Sequence, residues 1–142
     1  MSVTAASSPL ARQSLLAPAF FATLGVLGMT AIWVILALIR DRQCAWMAVF
    51  VAADIALMLR LGRTAPGARR ATIAVAATLV TIVAANWCIA STQMGIALGF
   101  GLVDSAFRLG GHLAWTLTEL ANSGAAWLWY AVALPVAYWL GK

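Results

Sequence analysis

Only four acidic residues are spread through the 142 positions of the chain, and one of them, Asp54, stands inside a long apolar run. It lies ten residues into the run 44–61, about 15 Å along a helix at 1.5 Å per residue. A carboxylate at that depth in a bilayer costs several kcal/mol unless it is partnered or protonated, so it must face protein rather than lipid. Polar side chains at similar depth are Thr78 and Thr81 in the run 71–92 and Thr30 in the first run. Asp54 with Thr78 and Thr81 is therefore a candidate ion or proton site. The competing role is a protonated carboxyl that hydrogen-bonds between helices. Arg60, six residues on, falls on another helical face and does not pair with Asp54 inside one helix.

A second constellation comprises Asp104, Arg108, His112, Thr116 and Glu119, spaced four, four, four and three. If helical throughout, these form one face, with Leu98, Leu102, Ala106, Leu109 and Leu113 on another, an amphipathic pattern. Asp104 and Arg108 have ion-pair spacing. Asp104, Arg108, His112 and Glu119 read as an outer polar face that is wetted at the interface, docks a partner or lines a vestibule. Gly110-Gly111 interrupts it.

Other chemistry is thinly supplied. One histidine and two cysteines, without Cys-x-x-Cys, are too few for a cysteine/histidine zinc site or a bis-histidine haem site. No metal or cofactor is expected. Neither Asp104 nor Glu119 has a nearby second acid for a hydrolytic pair. No serine has a nucleophile-elbow context, and Gly95, Gly99 and Gly101 lack phosphate-loop spacing. Cys44 and Cys88 both fall toward the outer side of the arrangement below and are a candidate disulfide. No motif matches a small four-span family.

The elements that must position these residues follow from composition. The chain is 64% hydrophobic and 9% charged, against about 25% charged for a soluble domain, so it cannot cover a globule with polar surface. It reads as a single all-α integral membrane domain over 1–142. Apolar runs at 15–39, 44–61, 71–92 and 124–141 approach the roughly 20 residues of a spanning helix. The first reads as a retained anchor rather than a signal peptide. The expected fold is a four-span bundle. Arg40-Asp41-Arg42 closes the first hairpin, and Arg60 to Arg70, containing Pro66 and Gly67, marks the strongest boundary, with its arginines in water or at headgroups. Residues 95–121 read as an outer amphipathic or re-entrant segment broken at Gly110-Gly111. A fifth span is the alternative, but it would carry two acids, an arginine, a histidine and the glycine pair through lipid.

Small residues at helical spacing mark packing faces in membranes. Ala22, Gly25 and Gly28 recur in the first run, Ala45, Ala48, Ala52 and Ala56 in the second, and Ala74, Thr78, Thr81, Ala85, Cys88 and Thr92 in the third.

The excess of nine Lys and Arg over four Asp and Glu is a topology signal rather than a nucleic-acid one. With an inside N-terminus, Arg12, Arg60, Arg63, Arg69, Arg70 and Lys142 lie in the cytoplasm and Arg40, Arg42 and Arg108 outside. This predicts a bacterial inner-membrane protein with both termini cytoplasmic. Trp33, Trp46, Trp87, Trp115, Trp127 and Trp129 then form an outer aromatic belt, with Trp139 inside. The expected partners are the lipid bilayer and either further copies of the chain or another membrane protein, with no nucleic acid. The expected function is that of a non-catalytic inner-membrane subunit or accessory protein packed against another membrane protein. The alternatives are a small homo-oligomeric transporter or channel using Asp54, and an enzyme using Asp104, His112 or Glu119 at the outer face.

Overall fold

The fold is seen in a computed structural model that describes residues 9–142, with side chains from residue 16 onward apart from Leu102. It is all-helical, with no strand among the described residues. In chain order the helices are α1 (Pro9–Arg40), α2 (Met47–Leu61), α3 (Ala68–Leu98), α4 (Leu102–Arg108), α5 (Gly111–Ala121) and α6 (Gly124–Gly141).

Helix ends fall where the backbone can leave the α region. Past α1, Asp41 takes a left-handed φ of 50°, and the N–H of Arg42 donates to the carbonyl of Ala37. After α2 the left-handed residue is Arg63, with φ 56°, although Gly62 stands beside it. Gly62 is needed for another reason. A Cβ there would sit 3.0 Å from Cα of Pro18, so the missing side chain lets α1 cross the end of α2 in backbone contact.

α3 runs farther than the expected 71–92, which moves the start of the outer segment past residue 98. Ser91 and Thr92 do not end it, because their hydroxyls donate to the carbonyls of Trp87 and Cys88 one turn back. The helix stops at Gly99, whose φ of 72° costs no Cβ clash, and the N–H of Phe100 closes onto the carbonyl of Gly95.

The expected break at Gly110 is present, and it separates α4 from α5. Helices of 7 and 11 residues reach only about 10 and 16 Å, so neither crosses a roughly 30 Å hydrocarbon core by itself.

α2 and α3 pack against each other, and each packs against both α1 and α6, which occupy opposite flanks. Among the helices α4 and α5 touch only α3 backbone to backbone. Fully buried Val51, Ile55 and Leu59 of α2, Ile89 of α3 and Trp33 of α1 form the centre of the core. The small-residue stripe of α2 is buried throughout, and that of α3 is buried except for half-buried Cys88. The stripe of α1 fails at Gly28, which is exposed, while Gly25 is buried. Three residues advance a helix by about 300°, so each such step turns about 60° off the contact face.

Two segments, Leu16–Arg40 and Ala68–Leu98, are long and apolar enough to cross a membrane. Large apolar side chains stand outward along α1, among them Leu16, Phe20, Leu27, Ile32 and Ile35.

Candidate functional site

Polar side chains concentrate in three places. At one end of the bundle the last carbonyls of the chain, which have no donors within α6, are met by donors from the end of α2, the loop after it and the first turn of α3. Nε of Arg70 donates to the carbonyl of Gly141 at 2.6 Å, Arg60 donates to Leu140 at 3.1 Å, and the N–H of Gly67 donates to Lys142 at 3.1 Å. The two guanidinium groups also sit at the negative end of the helix dipole. Arg70 is buried at 8% exposure and donates further to the carbonyl of Thr64. This corrects its expected place in water or at headgroups. The approach is close because Gly141 has no side chain, and a Cβ there would lie 2.9 Å from Cα of Ala71.

At the opposite end, Asn86 of α3, Asn122 after α5 and Tyr130 of α6 form a buried triad. The Tyr130 hydroxyl donates to Oδ1 of Asn122 at 2.9 Å, Nδ2 of Asn122 donates to Oδ1 of Asn86 at 3.1 Å, and Nδ2 of Asn86 donates to the Tyr130 hydroxyl at 3.2 Å. Asn86 and Asn122 also donate to the carbonyls of Ile82 and Thr118. Every polar atom of the triad thus has a partner. Beside it a groove of about 500 Å³ opens between α3, α5 and α6, lined by Ile82, Trp87, Trp115, Trp127 and Leu134. Asn86 and Tyr130 also border it, but their polar atoms are bonded within the triad, so the groove offers shape and mainly apolar surface rather than a free reactive group. Trp33 corrects the expected aromatic belt. It is fully buried, donates its indole N–H to the carbonyl of Gln43 at 2.8 Å and lies 6.2 Å from the Tyr130 ring.

The third place is Asp54, half-buried on the side of α2 that meets α1. A Cβ at Gly25 would come within 3.3 Å of its Oδ2 and 3.2 Å of Met58. Asp54 forms no hydrogen bond or ion pair among the described residues. Thr78 and Thr81 are fully buried and donate to the carbonyls of Ala74 and Ala77 in their own helix. The hydroxyl of Thr30 is buried without a partner. The three residues of the expected ion site are therefore not joined, because the threonines are satisfied within α3 while Asp54 looks toward α1.

The expected outer polar face is divided. Asp104 and Arg108 stand on α4, and His112 and Glu119 on α5, with the chain breaking between them; all four are exposed. The spacing of four cannot hold one face through a break in the helix. Arg108 lies 5.1 Å over the ring of Phe100, and no ion pair joins it to Asp104 among the described residues. Cys44 and Cys88 are free thiols, each partly exposed, which corrects the expected disulfide. Among the described residues no three His, Cys, Asp or Glu side chains gather as a metal site would require.

Sequence reasoning missed the triad and the role of Arg70. Asn86 did carry a signal, as an amide within a long apolar helix. Tyr130 and Asn122 did not, since a tyrosine among tryptophans reads as an interface anchor and an asparagine before Ser123-Gly124 reads as a turn. Comparison of the chain with models of protein families, with characterised proteins and with solved structures finds none that matches.

Proposed function

We propose that this chain is a non-catalytic accessory subunit of a membrane complex, a four-span protein of a bacterial inner membrane with both termini in the cytoplasm. The observation that carries the reading is the disposition of polar groups. The two largest interior polar groupings, the Asn86, Asn122 and Tyr130 triad and the Arg70 contact with α6, are closed between helices, and the buried hydroxyls of Thr78 and Thr81 are satisfied within α3, which leaves these groups no free donor for a substrate. Large apolar side chains of α1 and α2 face outward, including Phe20, Leu27, Ile35, Phe50 and Leu57. A soluble protein rarely exposes so much contiguous apolar surface.

Several features support the four-span arrangement. α2 has 15 residues, about 22 Å of helix, and is flanked by Trp46 and Arg60. α6 has 18 residues rich in tryptophan and tyrosine, which suit an interface. The contacts of Gly62 with Pro18 and of Gly67 with Lys142 bring the N-terminal half of α1, the α2–α3 loop and Lys142 toward the arginine-rich end, as an arrangement with both termini inside requires.

The test is cross-linking in native membranes followed by purification of the tagged chain in mild detergent. A stoichiometric adduct with one different membrane protein is the expected result. A chain that runs only as a monomer or as copies of itself, and that conducts protons in vesicles, would replace this reading with a homo-oligomeric transporter.

A further inference from the structure

Within the accessory-subunit reading, on which this step rests, we infer that the seam between α1 and α2 is the seat of a partner's transmembrane helix bearing a basic side chain at mid-depth, with Asp54 as its counter-charge. Among the described residues, Asp54 is the only acidic or basic side chain in the central turns of α1, α2, α3 and α6. It stands at the rim of the contact with α1 rather than in the core, beside outward-facing Phe50, Leu57 and Leu61. On the α1 side of that rim lies Gly28, one step of about 60° beyond buried Gly25, and a Cβ at Gly28 would meet nothing within 4 Å. The seam therefore presents a small-residue notch, flanked by Leu24, Leu27 and Ile32, where another helix can approach closely. A carboxylate lies at its edge.

Among the described residues no basic group reaches that carboxylate. Arg60 is engaged with the carbonyl of Leu140. Arg12 lies 13 residues from Gly25, about 20 Å along the helix. Between Arg12 and Arg40, between Arg42 and Arg60 and between Arg70 and Arg108 no basic residue occurs. For the same reason a second copy cannot serve as occupant. It brings no cation to this depth, and two-fold pairing across the seam would set carboxyl against carboxyl. An intramembrane acid persists where a partner of opposite charge or a hydrogen-bond donor meets it, and charge complementarity thus selects a basic helix of a different protein.

The experiment uses the full chain, labelled at its C-terminus, in phosphatidylcholine vesicles with labelled single-span polyleucine helices whose central residue is either Lys or Leu. Energy transfer measures association. The Lys helix is expected to bind about 3- to 30-fold more tightly than the Leu helix, the range of an interhelical polar contact. Asp54→Leu and Gly28→Leu should each abolish the difference, and Asp54→Glu should keep it. Unchanged thermal unfolding of the variants shows that the bundle itself survives. Equal binding of the two helices, or a Lys preference that persists in Asp54→Leu, overturns the inference. Transfer between copies of the chain that depends on Asp54 would give the seam to a second copy and overturn it as well. An adduct in native membranes that is unaffected by Asp54→Leu leaves the accessory reading standing and removes this seat. Binding of the Lys helix without any native adduct does the reverse.

Discussion

Nε of Arg70, in the first turn of α3, donates to the backbone carbonyl of Gly141, the last residue of α6, across 71 positions of sequence. This contact ties the second hairpin to the end of the chain and closes the bundle. Arg70→Ala leaves the carbonyls of Gly141 and Thr64 without their donor and should lower stability by about 1.5–3 kcal/mol, the range for a hydrogen bond from a charged group. Unfolding in mixed micelles reads this. Arg70→Lys should recover only part of the loss, because an ammonium lacks the fork that reaches both carbonyls.

Glycines of this chain divide by what surrounds them. Gly141→Ala places a Cβ 2.9 Å from the backbone of Ala71, so helices must part, at a cost of about 1–3 kcal/mol. Gly28→Ala meets open space and should be neutral or slightly stabilising, since alanine favours helix. The same unfolding assay on both variants checks the contrast, and equal losses would contradict it.

The triad at the other end should behave as a unit. Tyr130→Phe removes the donor to Asn122 and the acceptor from Asn86, with an expected loss of about 0.6–2 kcal/mol. Asn86→Leu should cost a similar amount. The double variant should cost clearly less than the sum, because each single change already breaks the ring. A double-mutant cycle by thermal unfolding measures the coupling, and strict additivity would show that the three groups act separately.

The proposed four-span arrangement makes a prediction about membrane sidedness. In a Cys44→Ala/Cys88→Ala background, Ala65→Cys and Lys142→Cys should react with an impermeant maleimide from one side of the membrane, and Ser123→Cys from the other. The first two lie together because the N–H of Gly67 bonds the carbonyl of Lys142. Labelling of Lys142→Cys from the side opposite Ala65→Cys would establish a fifth crossing.

Local physics was legible in the chain itself. The all-helical class, the turn after Arg40, the break around Pro66-Gly67 and the interruption at Gly110 depend on composition, on periodicity and on residues that cannot continue a helix, all of which act within a few positions. The end of α3 was legible only in part, since Ser91 and Thr92 look like loop residues until their hydroxyls are seen bonding back onto the helix. What the tertiary structure decided is which side chain meets which across the bundle. Trp33 reads as an interface anchor from its depth, but packing of α1 on α2 and α3 buries it. By distance along their runs Asp54 and the threonines of α3 read as neighbours in depth, yet they face different residues, because facing follows from how two helices are rotated against each other. Gly25 and Gly28 differ in burial for the same reason. That rotation is set by close contacts such as Gly62 with Pro18 and Gly141 with Ala71, between residues far apart in sequence, and no periodicity within one segment records it.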